Sequence, residues 1–353
     1  MKTHNRFFQK ICSFENFLSA ARKAQRGKRF QDQVSAFNFH LERELYRLQA
    51  ELQTQTYRPG PYYEFHIYEP KLRKISAAPY RDRVVHHALC NVIEPIFDPT
   101  FIFDTYACRK GKGTHKAVDR FTEFSRKNTY VLKCDIKKYF PSIDHEILKT
   151  RLRRKIRDPQ VLWLLDLIVD SSNPQEYVHE YFEGDDLLTP LNRRRGIPIG
   201  NLTSQFFANI YLNGFDHFVK EDLRCRYYIR YMDDFVVLEK DKARLHEVKA
   251  EMEDYLAGFR LKLHVHKCQI FPVKDGTDFL GYQVFPTHRR LRPSSVRRAR
   301  RRLRGLREDY DSGKIAWTDV NHSVQSWLGH VKHADTYGLR RAIFSQTVFR
   351  RSE

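Results

Sequence analysis

Tyr231-Met232-Asp233-Asp234 stands between Cys225-Arg226-Tyr227-Tyr228-Ile229-Arg230 and Phe235-Val236-Val237-Leu238. The β-branched and aromatic residues on either side predict two short strands, with the acid pair on the tight turn of a hairpin. Two carboxylates are thereby expected at an exposed tip. Adjacent carboxylates repel and raise each other's pKa unless a cation neutralises them, so the pair points to a bound metal. A hard divalent ion such as Mg²⁺ suits oxygen ligands. Asp-Asp is also ordinary turn chemistry, and the rest of the chain has to decide between the two.

The chain has 353 residues, enough for more than one domain or one large multi-lobed fold. With 41% hydrophobic residues, 26 Phe and 19 Tyr, it can bury a sizeable core. Its 63 Lys and Arg leave a formal charge of +20, which indicates a polyanionic partner, nucleic acid ahead of a membrane surface. No apolar run approaches the roughly 18 residues of a membrane span. Met1 to Lys10 lacks the apolar stretch of a secretory signal. Cys12, Cys90, Cys108, Cys134, Cys225 and Cys268 show neither CxxC nor paired Cys/His spacing, so no zinc site or disulfide framework is expected and a cytoplasmic setting fits.

Working outward from the acid pair, Thr129-Tyr130-Val131-Leu132-Lys133-Cys134-Asp135-Ile136 predicts a buried strand that delivers Asp135 to a sheet edge. Leu148 to Asp170 reads as helix. Arg193-Arg194-Arg195-Gly196-Ile197-Pro198-Ile199-Gly200-Asn201 reads as a stiff turn before a helix that opens at Thr203. After a helix over Lys242 to Tyr255, Phe271-Pro272-Val273 and Phe279 to Phe285 are expected to pair as a second hairpin across Lys274 to Asp278. Upstream, the first fifty-odd residues predict two helices. Tyr63 to Tyr68 and the segment through Ile75 predict a basic β-hairpin, and Arg81 to Ile96 a helix bearing His86 and His87. Gly111-Lys112-Gly113-Thr114-His115-Lys116 is glycine-rich and basic without P-loop spacing. Arginines crowd between Arg289 and Arg307, where Ser294 or Ser295 is placed to cap a helix. An all-arginine run suits phosphate contacts. Trp317, Trp327 and Tyr337 suggest a small aromatic-packed helical tail.

A strand-end acid, a twin-acid hairpin and a basic surround have one economical explanation. Two metal ions shared by carboxylates activate an attacking hydroxyl and steady a leaving pyrophosphate, the requirement of nucleotidyl transfer. That suggests a polymerase-like palm of β-α-β-β-α-β arrangement.

The order of residues resembles that of reverse transcriptases. Asp135-Ile136-Lys137-Lys138-Tyr139-Phe140-Pro141-Ser142-Ile143 resembles the family's first catalytic motif, and Tyr231-Met232-Asp233-Asp234 its Tyr-x-Asp-Asp box. Gly196 to Gln205 resembles the motif under the nascent pair, and Phe279-Leu280-Gly281-Tyr282 the hairpin that grips the primer. The resemblance implies an α+β right-hand polymerase fold. It comprises an N-terminal helical extension (1–56), fingers (57–130), a palm with a ferredoxin-like antiparallel sheet and part of the fingers inserted (131–285), and an arginine-rich helical thumb with a C-terminal tail (286–353). It further implies that Asp135, Asp233 and Asp234, aided by the Ile136 carbonyl, bind two Mg²⁺ ions, with Mn²⁺ as an alternative. Lys71, Arg73, Lys74, Phe140, Ile199 and Gln205 would meet the dNTP, with Phe140 excluding a 2′-hydroxyl; core packing is an equal reading of Phe140. Tyr231, Met232, Leu280, Gly281, Tyr282, Arg297, Arg298, Arg301 and Arg304 would hold primer and template.

Within that family, Arg83 to Asn91, Thr105 to Arg109, Gly111 to His115, Gly200 to Gln205 and Trp327-Leu328-Gly329-His330 look most like the reverse transcriptases of diversity-generating retroelements, among the bacterial enzymes akin to those of group II introns and retrons. Retroviral enzymes carry glutamine where Ile199 stands, so a polar clamp is absent and loose base selection, chiefly opposite adenine, is implied. The resemblance also implies a template RNA and RNA/cDNA duplex as partners, and a small basic accessory protein oligomer of the accessory-variability-determinant type. The setting would be the cytoplasm of a bacterial or phage-infected cell, with no membrane involvement. No ribonuclease H, integrase or maturase segment is evident. A retron or anti-phage defence reverse transcriptase is the alternative. A catalytically dead RNA-binding scaffold is a further one, against which the intact acids argue.

Overall fold

The computed structural model describes residues 7–68, 72–173 and 175–350. The chain opens with four helices, α1 (Phe8–Ile11), α2 (Phe14–Ala24), α3 (Asp32–Phe39) and α4 (Leu41–Gln53), where two were expected. The break after α1 is chemical: the Ser13 side chain accepts a hydrogen bond from Asn16 N and starts a new helix. Strands β1 (Tyr63–Ile67) and β2 (Arg73–Ala77) pair antiparallel as the expected hairpin. Helix α5 (Tyr80–Phe97) follows and packs along α2.

Next come α6 (Thr114–Ser125), β3 (Tyr130–Asp135), α7 (Tyr139–Ser142), α8 (His145–Arg153) and α9 (Pro159–Asp170). The single helix expected over Leu148 to Asp170 is therefore two. Pro159 cannot continue a helix but suits a first turn, and Asp158 caps it by accepting from Gln160 N and Val161 N. The other Asp158 oxygen accepts from Phe7 N at 2.7 Å and Phe8 N at 3.1 Å, which ties the N-terminal helices to the body.

A short helix α10 (Thr189–Asn192) leads to α11 (Leu202–His217), β4 (Tyr227–Tyr231), β5 (Asp234–Glu239), α12 (Lys242–Ala257) and β6 (Gln269–Pro272). Strands β7 (Thr277–Phe279), β8 (Tyr282–Val284) and β9 (Arg289–Leu291) precede α13 (Pro293–Asp311), α14 (Trp317–Val331) and α15 (Tyr337–Phe344). Pro293 is the first residue of α13, so neither Ser294 nor Ser295 caps it. In the tail Trp327 meets Phe344 edge-on at 5.8 Å, whereas Tyr337 is exposed and packs nothing inward.

Four strands form one antiparallel sheet in the order β4-β5-β3-β6, the order of a β-α-β-β-α-β unit. Both faces are buried, and the period of two divides the side chains between two cores. Leu132, Cys134, Tyr228, Phe235 and Val237 face one core with α11 and α12. Val131, Ile229, Val236 and Leu238 face the other, with Phe121 of α6 and Phe279 and Tyr282 of the last hairpin.

The second hairpin is not the one expected. Phe271 lies opposite Val131, so β6 is the fourth strand of the main sheet, while β7 and β8 pair with each other in a separate three-stranded sheet. The reason is the turn Leu280-Gly281, with φ of 47° and 95°. Two successive positive φ values make the two-residue turn that matches strand twist.

Phe235 is fully buried against Phe215 and Tyr228. Phe235→Ala is expected to lower unfolding free energy by about 3–5 kcal/mol through lost transfer energy and a cavity. Denaturant titration checks it, and a loss under about 1 kcal/mol would show that this core collapses freely.

Candidate functional site

Strand β3 ends at Asp135, which lies directly opposite Asp234 of β5, while Asp234 also pairs with Tyr231 across the β4–β5 hairpin. Ile136 N donates to the Asp233 carbonyl at 3.2 Å, stitching the acid turn to the end of β3. Carboxylates from two distant stretches of sequence thus converge at one end of the sheet. They are not at an exposed tip: Asp233 and Asp234 are half-buried, the latter's side chain 28% exposed. Met232 of the turn is buried, and Arg73 of β2 and Arg292 after β9 act on its carboxylates, which a hairpin read in isolation cannot show.

Burial first, then the charges of Asp135 and Asp234, pushes the Asp233 carboxyl up to about 6. Asp234 is raised too, by burial and by Asp135, against the pull of Lys133, Arg292 and Lys267. Asp234 Oδ1 is buried without a hydrogen-bond partner, its nearest cation being Lys133 Nζ at 3.9 Å. Asp135 Oδ1 instead accepts from Lys267 Nζ at 2.6 Å. Among the described residues no three His, Cys, Asp or Glu side chains stand close enough to hold a metal ion as they are. The donor set is nonetheless all hard oxygen, with one carboxylate oxygen lacking a donor, which is the chemistry that Mg²⁺ takes.

Lys267 and Arg230 escaped the reading of the sequence. Lys267 reaches Asp135 from the far side of α12, with no spacing to betray it. Arg230, fully buried, supports the turn from beneath, paired with Asp216. Its signal was parity: it shares the inward face of β4 with Tyr228, where an arginine requires a partner.

The remaining expected residues divide by position. Lys71 lies outside the described residues. Arg73 is exposed on β2 and close enough to Asp233 to lower its pKa, and Lys74 Nζ pairs with Glu64 at 2.8 Å. Phe140 is half-buried and packed against the main core, and Ile199 is half-buried on the Gly196–Gly200 turn. That turn lies against β2: Ser76 N donates to Ile199 O at 3.0 Å, and a Cβ on Gly200 would sit 2.9 Å from Ile75 Cγ2. Gln205 is exposed and accepts from Cys108 Sγ. Tyr231 shares a hydrogen bond with Thr114, and Met232 is nearly buried with φ 60°. Tyr282, expected at the primer, is fully buried and donates to His330 O at 2.7 Å, so it supports the Leu280-Gly281 turn from inside. Arg297, Arg301 and Arg304 are exposed on α13, whereas Arg298 is half-buried beside Ser295.

A convergent carboxylate trio on a β-α-β-β-α-β sheet under a strongly basic surface defines the class of nucleotide-polymerising enzymes. The family model for reverse transcriptase (RNA-dependent DNA polymerase) matches residues 68–284, more than half of the chain. The chain belongs to this family, whose enzymes are RNA-directed DNA polymerases. Protein YkfC of Escherichia coli is 26% identical over 285 residues, 68% of this chain and 71% of that protein. The group II intron-encoded protein LtrA of Lactococcus lactis is 24% identical over 182 residues, covering 50% and 28%. A 91 kDa protein in the cob intron of Schizosaccharomyces pombe is 30% identical over 149 residues, covering 42% and 17%. The chain spans under a third of the latter two. A solved telomerase from Candida tropicalis overlays with TM-score 0.49 at 13% identity, covering 69% of this chain and 58% of that one. Among the described residues no helix is long and apolar enough to cross a membrane.

The raised Asp233 carboxyl has a consequence for stability. Its folded pKa lies above its unfolded one, so the folded state binds more protons between about pH 4 and 6, and the penalty is fully present above that window. Asp233→Asn is expected to stabilise the metal-free protein at pH 7.5 by about 1–2 kcal/mol, discounted for partial solvent access, and to bring no gain near pH 4. Melting curves in chelator at both pH values check this; destabilisation at pH 7.5 would refute it.

Proposed function

We propose that this protein copies a template RNA into DNA by two-metal nucleotidyl transfer, error-prone opposite adenine, within a diversity-generating retroelement. The observation that carries the catalytic part is the register that sets Asp135 opposite Asp234 while Ile136 N holds the Asp233 carbonyl. Asp135, Asp233 and Asp234 hold the metals, and the buried, partnerless Asp234 Oδ1 fits that role. When bound, divalent ions lower the pKa of the primer 3′-hydroxyl and neutralise charge on the departing pyrophosphate.

The chain's own residues do the rest. The sheet around Asp135 is the palm (131–285), the segment with β1, β2, α5 and α6 the fingers (57–130), and α13 to α15 the thumb (286–353). Arg73, with Lys71 and Lys74, neutralises the incoming triphosphate, and Gln205 lies on the same nucleotide. Phe140 stands beside Asp135 as the bulk beneath the sugar, selecting deoxynucleotides. Met232, Tyr231, Leu280 and Gly281 border the primer end, and Arg297, Arg301 and Arg304 face duplex phosphates. Low fidelity is read from Ile199: its half-buried aliphatic side chain on a turn braced by β2 offers the nascent pair no hydrogen bond. A basic chain of +20 suits RNA, and a small basic accessory oligomer completes the complex.

Primer extension on RNA with Mg²⁺ tests the reading. Asp233→Asn or Asp234→Asn is expected to reduce synthesis at least about 10³-fold, as loss of a metal-held transition-state contact does. Ile199→Gln is expected to cut misincorporation opposite adenine by about 5–10-fold, the worth of one hydrogen bond in base selection. Faithful synthesis by the wild type would move the protein to a retron or defence role, and Asp-independent synthesis would refute the site.

A further inference from the structure

Beneath the acid turn lies a buried polar network that no part of the proposed chemistry uses. Arg230 is fully enclosed, and its guanidinium forks onto Asp216 of α11, Nε to Oδ1 and Nη2 to Oδ2, both at 2.7 Å. Asp216, equally enclosed, also accepts from Tyr228 Oη at 2.8 Å and Thr105 Oγ1 at 3.2 Å. With both of its oxygens engaged, the carboxylate leaves the guanidinium no freedom to swing. The remaining nitrogen, Nη1, donates to Asn209 Oδ1 at 3.2 Å and to the Met232 carbonyl at 3.1 Å. Asn209 is fixed in turn by donating to Ala107 O.

Met232 is the residue that turns the chain between β4 and β5, and it does so at φ 60°, a left-handed conformation that a side chain of this kind disfavours. Its carbonyl, left inside the fold by that conformation, needs a donor, and Arg230 Nη1 is the donor it has. The next two residues are Asp233 and Asp234.

We infer that Arg230 is the positioning residue of this turn: clamped by Asp216, it holds the Met232 carbonyl and thereby fixes the backbone from which the two following carboxylates reach a divalent cation. This rests on the reading of Asp233 and Asp234 as metal ligands. Arg230 touches neither metal nor substrate. Its effect is expected on metal affinity and turnover and not on the affinity for nucleic acid, because the exposed basic surface is unchanged.

The test uses the full chain in a dead-end complex with RNA template, dideoxy-terminated primer and the next dNTP, titrated with Mn²⁺ and read by the electron spin resonance of the free ion. Arg230→Lys keeps a charge for Asp216 but cannot fork onto both oxygens and still reach Met232. It is expected to weaken Mn²⁺ binding about tenfold or more, as loss of an outer-shell partner does. In steady-state assays kcat should fall while KM for template–primer stays within about twofold. Asn209→Ala, which leaves the ion pair intact but removes the anchored acceptor that aligns Nη1 on the Met232 carbonyl, is the milder probe and decides the matter if Arg230→Lys does not fold; it should weaken Mn²⁺ about threefold. Tyr228→Phe strips a different donor from Asp216 and should lower the melting temperature without moving Mn²⁺ affinity. Unchanged Mn²⁺ affinity in folded Arg230→Lys or in Asn209→Ala would overturn the inference, as would a loss in Tyr228→Phe as large as that in Asn209→Ala. If Asp233→Asn itself bound Mn²⁺ normally, the metal site would be the error, and not the support beneath it.

Discussion

The register of β3 against β5 is the constraint on which the rest depends. Asp135 stands opposite Asp234 only while Val131 pairs with Leu238 and Lys133 with Val236 along the same ladder. A slip by one residue would exchange the two faces of β3, because side chains alternate. In a sheet with one wet face that would expose one set of apolar residues. Here both faces are dry, so Val131 and Leu132 would each enter the core shaped for the other. The two cores therefore hold the acids together, and Cys134, Ile136, Met232 and Phe235, core members next to the acids in sequence, carry that constraint to the site.

Holding them there works against folding. Buried carboxylates elsewhere in the chain are well supplied: Asp82 accepts from Tyr57 Oη and Gly60 N, and Asp158 from four backbone amides. Such donors stabilise the ionised form and offset part of the penalty of burial, although burial still holds the Asp82 carboxyl above its ordinary value. Asp234 Oδ1 has none, and Asp233 is pushed upward by burial and then by its charged neighbours. On the proposed function, this shortage of donors is what a divalent cation would make good. In the free protein Lys267 on Asp135 is a partial substitute, and a monovalent ammonium on one oxygen cannot neutralise three carboxylates.

What the sequence revealed follows from range. Strands β3, β4 and β5 and their acids were legible because alternation and turn chemistry are local, and because the order of motifs carried the family. The helix break at Asp158-Pro159 was equally local and was missed by weighing apolar period above caps. The pairing of β6 was beyond local reading. Phe271 suits either partner, and only the tight turn at Leu280-Gly281, which closes β7 onto β8, leaves it to β3. Tyr282 illustrates the same limit, since a motif can mark a hairpin at the primer without telling which of its side chains points inward. Lys267 and the Asp216–Arg230 pair join residues separated by a helix or a whole lobe, and a basic composition hides one meaningful arginine among many.

A buried ion pair is a poor device for stability, since apolar residues of similar volume often do as well or better. Its advantage is direction. A methionine at position 230 could fill the space under the turn, but dispersion contacts have no preferred angle and would let the Met232 carbonyl settle wherever packing allowed. A guanidinium fixed by a two-point fork has its remaining N–H groups aimed in a known direction, and hydrogen bonds weaken steeply when that angle is lost. The turn above carries two charges that repel each other and a left-handed residue that would relax elsewhere if free. Both tendencies would open the turn, and both are opposed at one carbonyl by one nitrogen. A fully buried ion pair, Arg230 with Asp216, is thus found where orientation, rather than net stability, sets what the site can bind.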